Sequence, residues 1–314
     1  MIAYLIRRLL LGLLTVVGVC LFTFSLFYLI VPPDRLARQN LHAKNPSPQQ
    51  IHAWEAQHGY DKPRAQQFVT FTTQLLTFQF PDSDVNGESV GQKIRTGMGP
   101  SLMLAIPEFF VSLLVTIPLA LLLAYYRGTY LDTAGTMVCV FMMSMSILLY
   151  IIVGQFIIGK MLRLAPIVGF APGLQGFRFI VMPLIIGVVS GMGGTIRFFR
   201  TAVLEEMTQD YVRTSRAIGV SEAGVLFRHV LKNSMIPILT SVVMSIPFLF
   251  LGSLLMESFF GIPGLGSITM DAISSSDFAV LRVMVYIGSL LYILGTILTD
   301  ISYTLVDPRV RFGS

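Results

Sequence analysis

The chain has 314 residues, of which 54% are hydrophobic and only 12% are charged. The charged fraction is about half that of a typical soluble domain, so the composition excludes an ordinary soluble enzyme and predicts an integral membrane protein. The net charge of +5 does not indicate nucleic-acid binding. The basic residues are scattered along the edges of apolar segments, without a basic stripe or an aromatic stacking motif.

Six apolar segments are long enough to cross a bilayer as helices. Their Leu, Ile, Phe, Val and Met residues occur on every face, which favours helices over the alternating strands of a membrane barrel. The predicted fold class is therefore all-α, with six transmembrane helices in a single membrane domain covering residues 1–314. The predicted spans are residues 9–31, 101–126, 133–159, 179–196, 233–256 and 283–299.

The basic residues also predict the orientation of the spans, because they concentrate on the cytoplasmic side. Eleven lie on one side of the membrane, whereas the two shorter connections on the other side hold only four. Residues 32–100 carry seven more, but a loop of that length is discounted. Both termini are therefore predicted to be cytoplasmic, and residues 32–100 to be an extracytoplasmic loop. The eleven are Arg7, Arg8, Arg127, Arg197, Arg200, Arg213, Arg216, Arg228, Lys232, Arg309 and Arg311.

The extracytoplasmic loop is predicted to contain helices of its own. Ser47, Pro48 and Gln50 form a capping box with proline at the first helical position. After Pro63, apolar residues recur at helical spacing and predict an amphipathic segment. These helices either cap the bundle or form a docking surface for a partner. The amphipathic positions are Phe68, Phe71, Leu75 and Phe78.

No catalytic or metal motif is found in the sequence. The segment from Gly154 to Met161 nearly matches a phosphate-binding loop, but Met161 lacks the hydroxyl that would bind magnesium. Cys20 and Cys139 both lie inside predicted spans and are interpreted as packing residues. The chain is therefore predicted not to be an enzyme.

Acidic residues near or within the spans are candidate pathway residues, since an ionisable group in hydrocarbon usually faces a cavity or a partner. Glu108 lies inside the second span, where it faces either a translocation pathway, a second subunit or the outer interface. Glu257 ends the fifth span, and Asp300 lies near the inner end of the sixth. Interfacial placement explains both, and Glu257 is also kept as a pathway candidate.

The connection between the fourth and fifth spans, residues 197–232, contains six of the basic residues. Gly219 is expected to break one helix and Ser221 to cap the next. This pattern predicts a short cytoplasmic helix that projects and turns. Taken alone, the segment is either a docking element or a solvated connector.

The segment also resembles the cytoplasmic loop of permease subunits of binding-protein-dependent ABC importers. That loop has the pattern E-A-A-x-x-x-G, followed nine residues later by I-x-L-P. Gly219 matches the glycine, whereas the acidic residue and the proline are absent. Where the segment departs from the general pattern, it resembles the peptide/nickel branch of the family. That branch has the patterns V-R-T-A-R-A-x-G and R-H-x-L-x-N-x-x-x-P. Residues 212–219 and 228–237 match these patterns.

The resemblance extends along essentially the whole chain and is closest to the first permease subunit of that branch. Further matches are the opening Tyr4 to Arg8, residues 58–63, the turn at 260–266 with Asp277, and residues 300–309. The resemblance implies the type I importer fold and several partners. These are a second homologous permease, two cytoplasmic ATP-binding subunits and an extracytoplasmic substrate-binding protein, in the membrane lipid of the bacterial inner membrane.

By the same resemblance, residues 197–232 form the cytoplasmic coupling loop, whose short helix would sit in a cleft of an ATPase. ATP and Mg would be bound by the partner subunits, with no cofactor on this chain. Di- or oligopeptides are the leading substrates, with nickel chelates or glutathione-type compounds as alternatives. A stand-alone channel or an intramembrane enzyme using Glu108 or Asp300 is the remaining alternative. The implied coupling residues are Arg213, Thr214, Ser215, Arg216, Ala217, Gly219, Ser221 and Glu222.

The predicted orientation can be tested with reporter fusions. A reporter placed after Ser314 should be active only as a cytoplasmic reporter, and one inserted near Asn45 only as an external reporter, because the basic residues put both termini inside. The opposite result at either position would contradict the predicted number of spans.

Overall fold

The structure is a computed structural model that describes residues 2–30, 32–41 and 46–306. Within these ranges the chain is helical throughout, apart from turns and one isolated bridge between Asp82 and Ser89. The predicted all-α class is therefore confirmed. Some positions used in the sequence analysis lie outside the described residues, namely Asn45, the 307–309 segment, Arg311 and Ser314.

Among the described residues, five helices are long and apolar enough to cross a membrane, and a bent pair makes a sixth if it is counted as one span. The five are Leu10–Tyr28, Val90–Tyr125, Phe177–Met207, Glu222–Phe250 and Phe278–Ser302, and the bent pair is Tyr130–Ser144 with Ile147–Met161. The helices in chain order are α1 (Ile2–Phe24), α2 (Pro33–Asn40), α3 (Pro48–Gln57), α4 (Arg64–Leu76), α5 (Val90–Tyr125), α6 (Tyr130–Ser144), α7 (Ile147–Gly154), α8 (Phe177–Met207), α9 (Asp210–Ala217), α10 (Glu222–Gly224), α11 (Leu231–Ser245), α12 (Leu254–Phe260), α13 (Leu265–Ser275) and α14 (Phe278–Val306).

The third predicted span, residues 133–159, is not one continuous helix in the structure. Helices α6 and α7 are bent by 95° with respect to each other. The break occurs at Met145 and Ser146, both of which have extended backbone conformations. Ser146 then caps α7, because its hydroxyl accepts a hydrogen bond from the amide of Leu148. A π-helical turn, Gln155–Met161, extends α7.

Other predicted boundaries also differ from the structure. The second span starts at Val90 rather than Ser101, so the end of the predicted 32–100 loop is part of α5. Helix α8 continues through the predicted end of the fourth span to Met207. The fifth span ends at Phe250 instead of Met256. Gly252 breaks it with a φ of 70°.

Helix packing places α5 along α8, with α6 also against α8, and places α1 and α11 against α14. Asp132 at the start of α6 forms a bidentate pair with Arg200 of α8, with both N···O distances at 2.8 Å. Cys20 and Cys139 are free and buried, which confirms that they are packing residues. The long helices therefore form one connected bundle.

The described residues from α2 to the start of α5, which belong to the predicted extracytoplasmic loop and are called the outer segment below, are folded against this bundle. The predicted capping box is confirmed, since Ser47 and Gln50 exchange side-chain-to-backbone hydrogen bonds at the start of α3. Phe71 and Leu75 of α4 are buried in a core shared with α1, α5, α13 and α14, whereas Phe78 is exposed. The arrangement favours the interpretation of these helices as a cap. Docking of a partner on the exposed side stays a prediction.

A polar contact fastens the outer segment to the start of α14. Ser83 donates a hydrogen bond to Asp277, and the amide of Ala279 donates to Asp84 at 2.9 Å. Asp84 also pairs with Arg282 at 3.6 Å, and both side chains are 5% exposed. Burial raises the pKa of the Asp84 carboxyl above its usual value, although Arg282 opposes the rise. We call this contact the outer latch.

Candidate functional site

Helix α9 has one face packed against the bundle. Val212 is completely buried and Ser215 is 8% exposed. The Val212 side chain lies in a hydrophobic cluster with Val203 of α8 and with Val225 and Leu226, which follow α10. Residues of α5 belong to the same cluster. The short helix is therefore anchored to three of the membrane-spanning segments.

The turn after α9 has the hydrogen bonds of a Schellman motif. The amide of Gly219 donates to the carbonyl of Arg216 at 3.0 Å, and the amide of Val220 donates to that of Ser215 at 3.2 Å. Gly219 has a φ of 86°, a conformation that other residues rarely adopt. The predicted helix break at this glycine is confirmed.

The next helix begins directly after that turn. The Ser221 hydroxyl accepts a hydrogen bond from the amide of Gly224 at 3.2 Å, which confirms the predicted cap. Arg216 at the end of α9 donates two hydrogen bonds to Glu222, at 2.8 and 3.0 Å. This ion pair spans the turn and links the two helices.

The opposite face of α9 is exposed. The side chain of Arg213 is 77% exposed, and Ile218 at the tip of the turn is 75% exposed. The outer side of α9 and its turn therefore presents both a basic and an apolar side chain to the surroundings. Helix α9 thus combines an anchored inner face with a free outer face.

A second candidate site is a cavity of about 380 Å³ between α5, α8 and the segment from α11 to α12. Its walls carry aromatic and aliphatic side chains, the hydroxyls of Ser112 and Ser241, and two acidic residues, Glu108 and Glu257. These two residues are the predicted pathway candidates, and the fold brings them to the same cavity. Their surroundings are nevertheless different.

Glu257 is completely buried and lies in α12, not at the end of the fifth span at an interface as predicted. One carboxylate oxygen accepts hydrogen bonds from the Ser101 hydroxyl at 2.8 Å and the Ser253 amide at 3.1 Å. The other accepts from the amides of Gly266 at 2.7 Å and Ser267 at 3.1 Å. The Ser101 hydroxyl in turn accepts from the amide of Leu265. We call this set of contacts the Glu257 network.

Glu108 lies in the middle of α5, half-buried, with its carboxylate against Gly187 of α8. A Cβ atom at position 187 would overlap this carboxylate. Gly187 therefore permits a close approach of α5 to α8 at this point. The space that the glycine leaves is occupied by the Glu108 carboxylate.

Comparison with known proteins agrees with this architecture. Residues 116–312 match the binding-protein-dependent transport system inner membrane component family. Residues 1–89 match the N-terminal membrane component of the same transport systems. The chain belongs to this family. It is a multi-pass membrane permease of a transport system and not an enzyme, as predicted.

Two relatives align with the permease over nearly its full length. One, from Sinorhizobium fredii, is named a probable peptide ABC transporter permease protein; it is 30% identical, covering 98% of this chain and 99% of the relative. Another is the glutathione transport system permease protein GsiC of Salmonella choleraesuis. It is also 30% identical, covering 99% of this chain and 100% of the relative.

The predicted coupling residues of the permease lie on α9, Asp210–Ala217, and on the turn and helix start that follow it. Ser215 is the exception in orientation, because it faces the bundle. The function of these residues stays a prediction. The exposed members are Arg213, Thr214, Arg216, Ala217, Gly219, Ser221 and Glu222.

Sequence reasoning missed several residues that build these sites. Val212 anchors α9, and its spacing of three from Ser215 was a usable signal for a shared face. Ile218 is an apolar residue directly before the helix-breaking glycine, which was a further signal. Ser101 gave no such signal in the sequence, because its partner Glu257 is 156 residues away.

The Glu257 network generates a stability prediction. In Glu257→Gln the amide nitrogen would face at least one backbone N–H, leaving buried donors unsatisfied at a cost of about 1–3 kcal/mol each. We expect a lower midpoint of thermal unfolding for the purified permease in detergent. Glu88→Gln, at an exposed position, is the control and should change the midpoint little. Equal midpoints for the two variants would contradict the role given to the network.

Proposed function

We propose that the permease is the translocating subunit of an importer for di- or oligopeptides. Its partners would be a second homologous permease, two cytoplasmic ATP-binding subunits and an extracytoplasmic binding protein. ATP and Mg would be bound in the ATP-binding subunits. The name of the Sinorhizobium relative supports the peptide substrate, and the family description supports the dependence on a binding protein.

One observation carries this proposal, namely that α9 is anchored on one side and exposed on the other. Val212 is locked into a cluster with residues of α5 and α8 and of the helix that follows. Closely packed side chains transmit displacement because protein interiors have low compressibility. A partner that holds the exposed face and moves would therefore move the attached membrane helices as well.

The proposed orientation follows from the basic residues, with both termini and α9 in the cytoplasm. Large apolar side chains on the outside of the bundle support a lipid environment, such as Leu114, which is 74% exposed, and Phe110, which is 63% exposed. In this orientation α2, α3 and α4 lie on the extracytoplasmic side of the membrane, where a binding protein would dock. The outer latch then lies on the same side as the binding protein.

The proposed mechanism uses rigid-body motion and no chemistry on this chain. ATP binding closes the two ATP-binding subunits, which hold α9 in a cleft and pull the helices attached to it. The pathway between the two permeases then alternates between outward-facing and inward-facing states. Arg213 and Arg216 would pair with acidic residues of the ATP-binding subunit, while Ile218 fills an apolar position.

A glutathione-type substrate is the second candidate, supported by the name of the Salmonella relative. Glutathione is itself a small peptide-like compound, so the two candidates share the same chemistry. Competition between a dipeptide and glutathione for uptake into membrane vesicles would distinguish them. The preferred substrate is the one that suppresses uptake of the other at the lower concentration.

Reconstitution tests the proposed function. The permease alone in liposomes should hydrolyse no ATP above background. Addition of the second permease, the ATP-binding subunits and the peptide-loaded binding protein should produce ATP-driven uptake of labelled peptide. Hydrolysis by the permease alone, or uptake that does not require ATP, would refute the proposal.

The turn at Gly219 gives a residue-level prediction. Gly219→Val would force a β-branched residue into a positive φ, at a cost of about 1–2 kcal/mol. Since a Cβ atom at this position meets no neighbour within 4 Å, the backbone turn is what changes. Membrane abundance should be retained, while peptide uptake and co-purification of the ATP-binding subunits should fall.

A suitable control is Gly173→Val, at a glycine with a φ of 72° and no neighbour within 4 Å of an added Cβ. It imposes the same backbone strain outside α9 and its turn, and should leave uptake and co-purification of the ATP-binding subunits unchanged. Gly224→Val is less suitable, because its Cβ would lie 3.0 Å from the Val220 side chain and 3.2 Å from the capping hydroxyl of Ser221. Normal uptake by Gly219→Val with the ATP-binding subunits still bound would identify the segment as a solvated connector.

A further inference from the structure

Glu108 lines the cavity between α5, α8 and the segment from α11 to α12. No basic group of the described residues pairs with its carboxylate. Glu108 and Glu257 are the only ionisable side chains that line this cavity among the described residues. Glu257 is occupied by the four donors of its network. For Glu108, the described residues supply neither a hydrogen-bond donor nor a basic group in ion-pair contact. The two carboxylates of one cavity therefore have different roles.

The position of Glu108 is maintained by the shape of its surroundings. Gly187 presents bare backbone to the carboxylate, and any side chain there would overlap it. An ionised group out of bulk water is costly unless it is paired, and within membrane segments such groups mark substrate or ion pathways. The carboxylate of Glu108 therefore carries a desolvation cost that no hydrogen bond or ion pair among the described residues offsets.

The rest of the cavity wall is suited to a small amphipathic ligand. Phe109, Phe199 and Phe248 provide aromatic surface, and Ser112 and Ser241 provide hydroxyls. Aromatic faces attract cations as well as apolar groups. A volume of about 380 Å³ is within the usual range of small-molecule sites. The described lining contains no Lys, Arg or His, so its charge favours a cationic group over an anionic one.

We infer that Glu108 binds the protonated amino terminus of a peptide as it passes through this cavity, with the first side chain against the aromatic wall. The inference rests on the proposed peptide-import function and deepens it. The permease would then contribute selectivity of its own for a free ammonium group, in addition to the selection made by the binding protein. Peptides with a blocked amino terminus would be delivered but translocated poorly.

The test uses the complete transporter in proteoliposomes and a pair of probes, alanyl-phenylalanine and its N-acetylated form. Binding of each probe to the binding protein is measured separately, and concentrations are set so that both give equal occupancy. The readout is the ratio of ATP-driven uptake of the free peptide to that of the acetylated peptide. This normalisation removes the selectivity of the binding protein from the ratio.

The wild type should prefer the free peptide, and Glu108→Gln should reduce this preference roughly tenfold, the size expected for loss of a hydrogen bond to a charged group. Glu108→Asp should retain the preference with slower uptake, because the charge remains. Asp271→Asn on α13, at an exposed position that does not line the cavity, is the control for removal of a negative charge and should leave the ratio unchanged. Basal ATP hydrolysis and co-purification of the subunits show whether each variant is assembled.

An unchanged ratio in assembled Glu108→Gln would overturn the inference, as would an equal fall in uptake of both probes. Either result would assign Glu108 to a structural contact, such as pairing with a basic residue of the second permease. A wild type without any preference for the free peptide would also overturn it. Absence of ATP-driven uptake of both probes by the wild type would instead refute the proposed function on which the inference rests.

Discussion

The buried carboxylate of Glu257 is the constraint on which the centre of the permease depends. It joins segments that are distant in sequence, namely Ser101 of α5, the turn before α12 and the first turn of α13. The first amides of a helix have no partner within the helix, and the carboxylate satisfies those of Gly266 and Ser267. The Glu257 carboxylate thus accepts the unpaired amides in the first turn of α13 and holds one wall of the cavity in place.

Two sets of contacts join the helices of the permease. The Glu257 network holds α5, α12 and α13 together around the cavity. The cluster containing Val212 holds α9 against α5, α8 and the helix that follows the turn. Helix α5 belongs to both sets. In the proposed mechanism, a displacement at α9 would reach the cavity through α5, which carries Glu108.

Much of this architecture could be predicted from the sequence, because composition and helical signals are local. The capping box at Ser47, the break at Gly219 and the cap at Ser221 each depend on neighbouring residues, and all three are confirmed. The break after Ser144 was missed because hydropathy continues across it. The burial of Glu257 was missed because its donors come from residues that only the fold brings together.

The outer latch has a mechanical consequence. Arg282 and Asp277 lie at the beginning of α14, and their contacts with Asp84 and Ser83 join the outer segment to that helix. Helix α14 packs along α11, which continues from the helix that begins at the turn after α9. A force applied at the outer latch and a force applied at the turn after α9 would therefore act on the same pair of helices. With the proposed partners in place, docking of the binding protein and closure of the ATP-binding subunits would act on α11 and α14 from opposite ends.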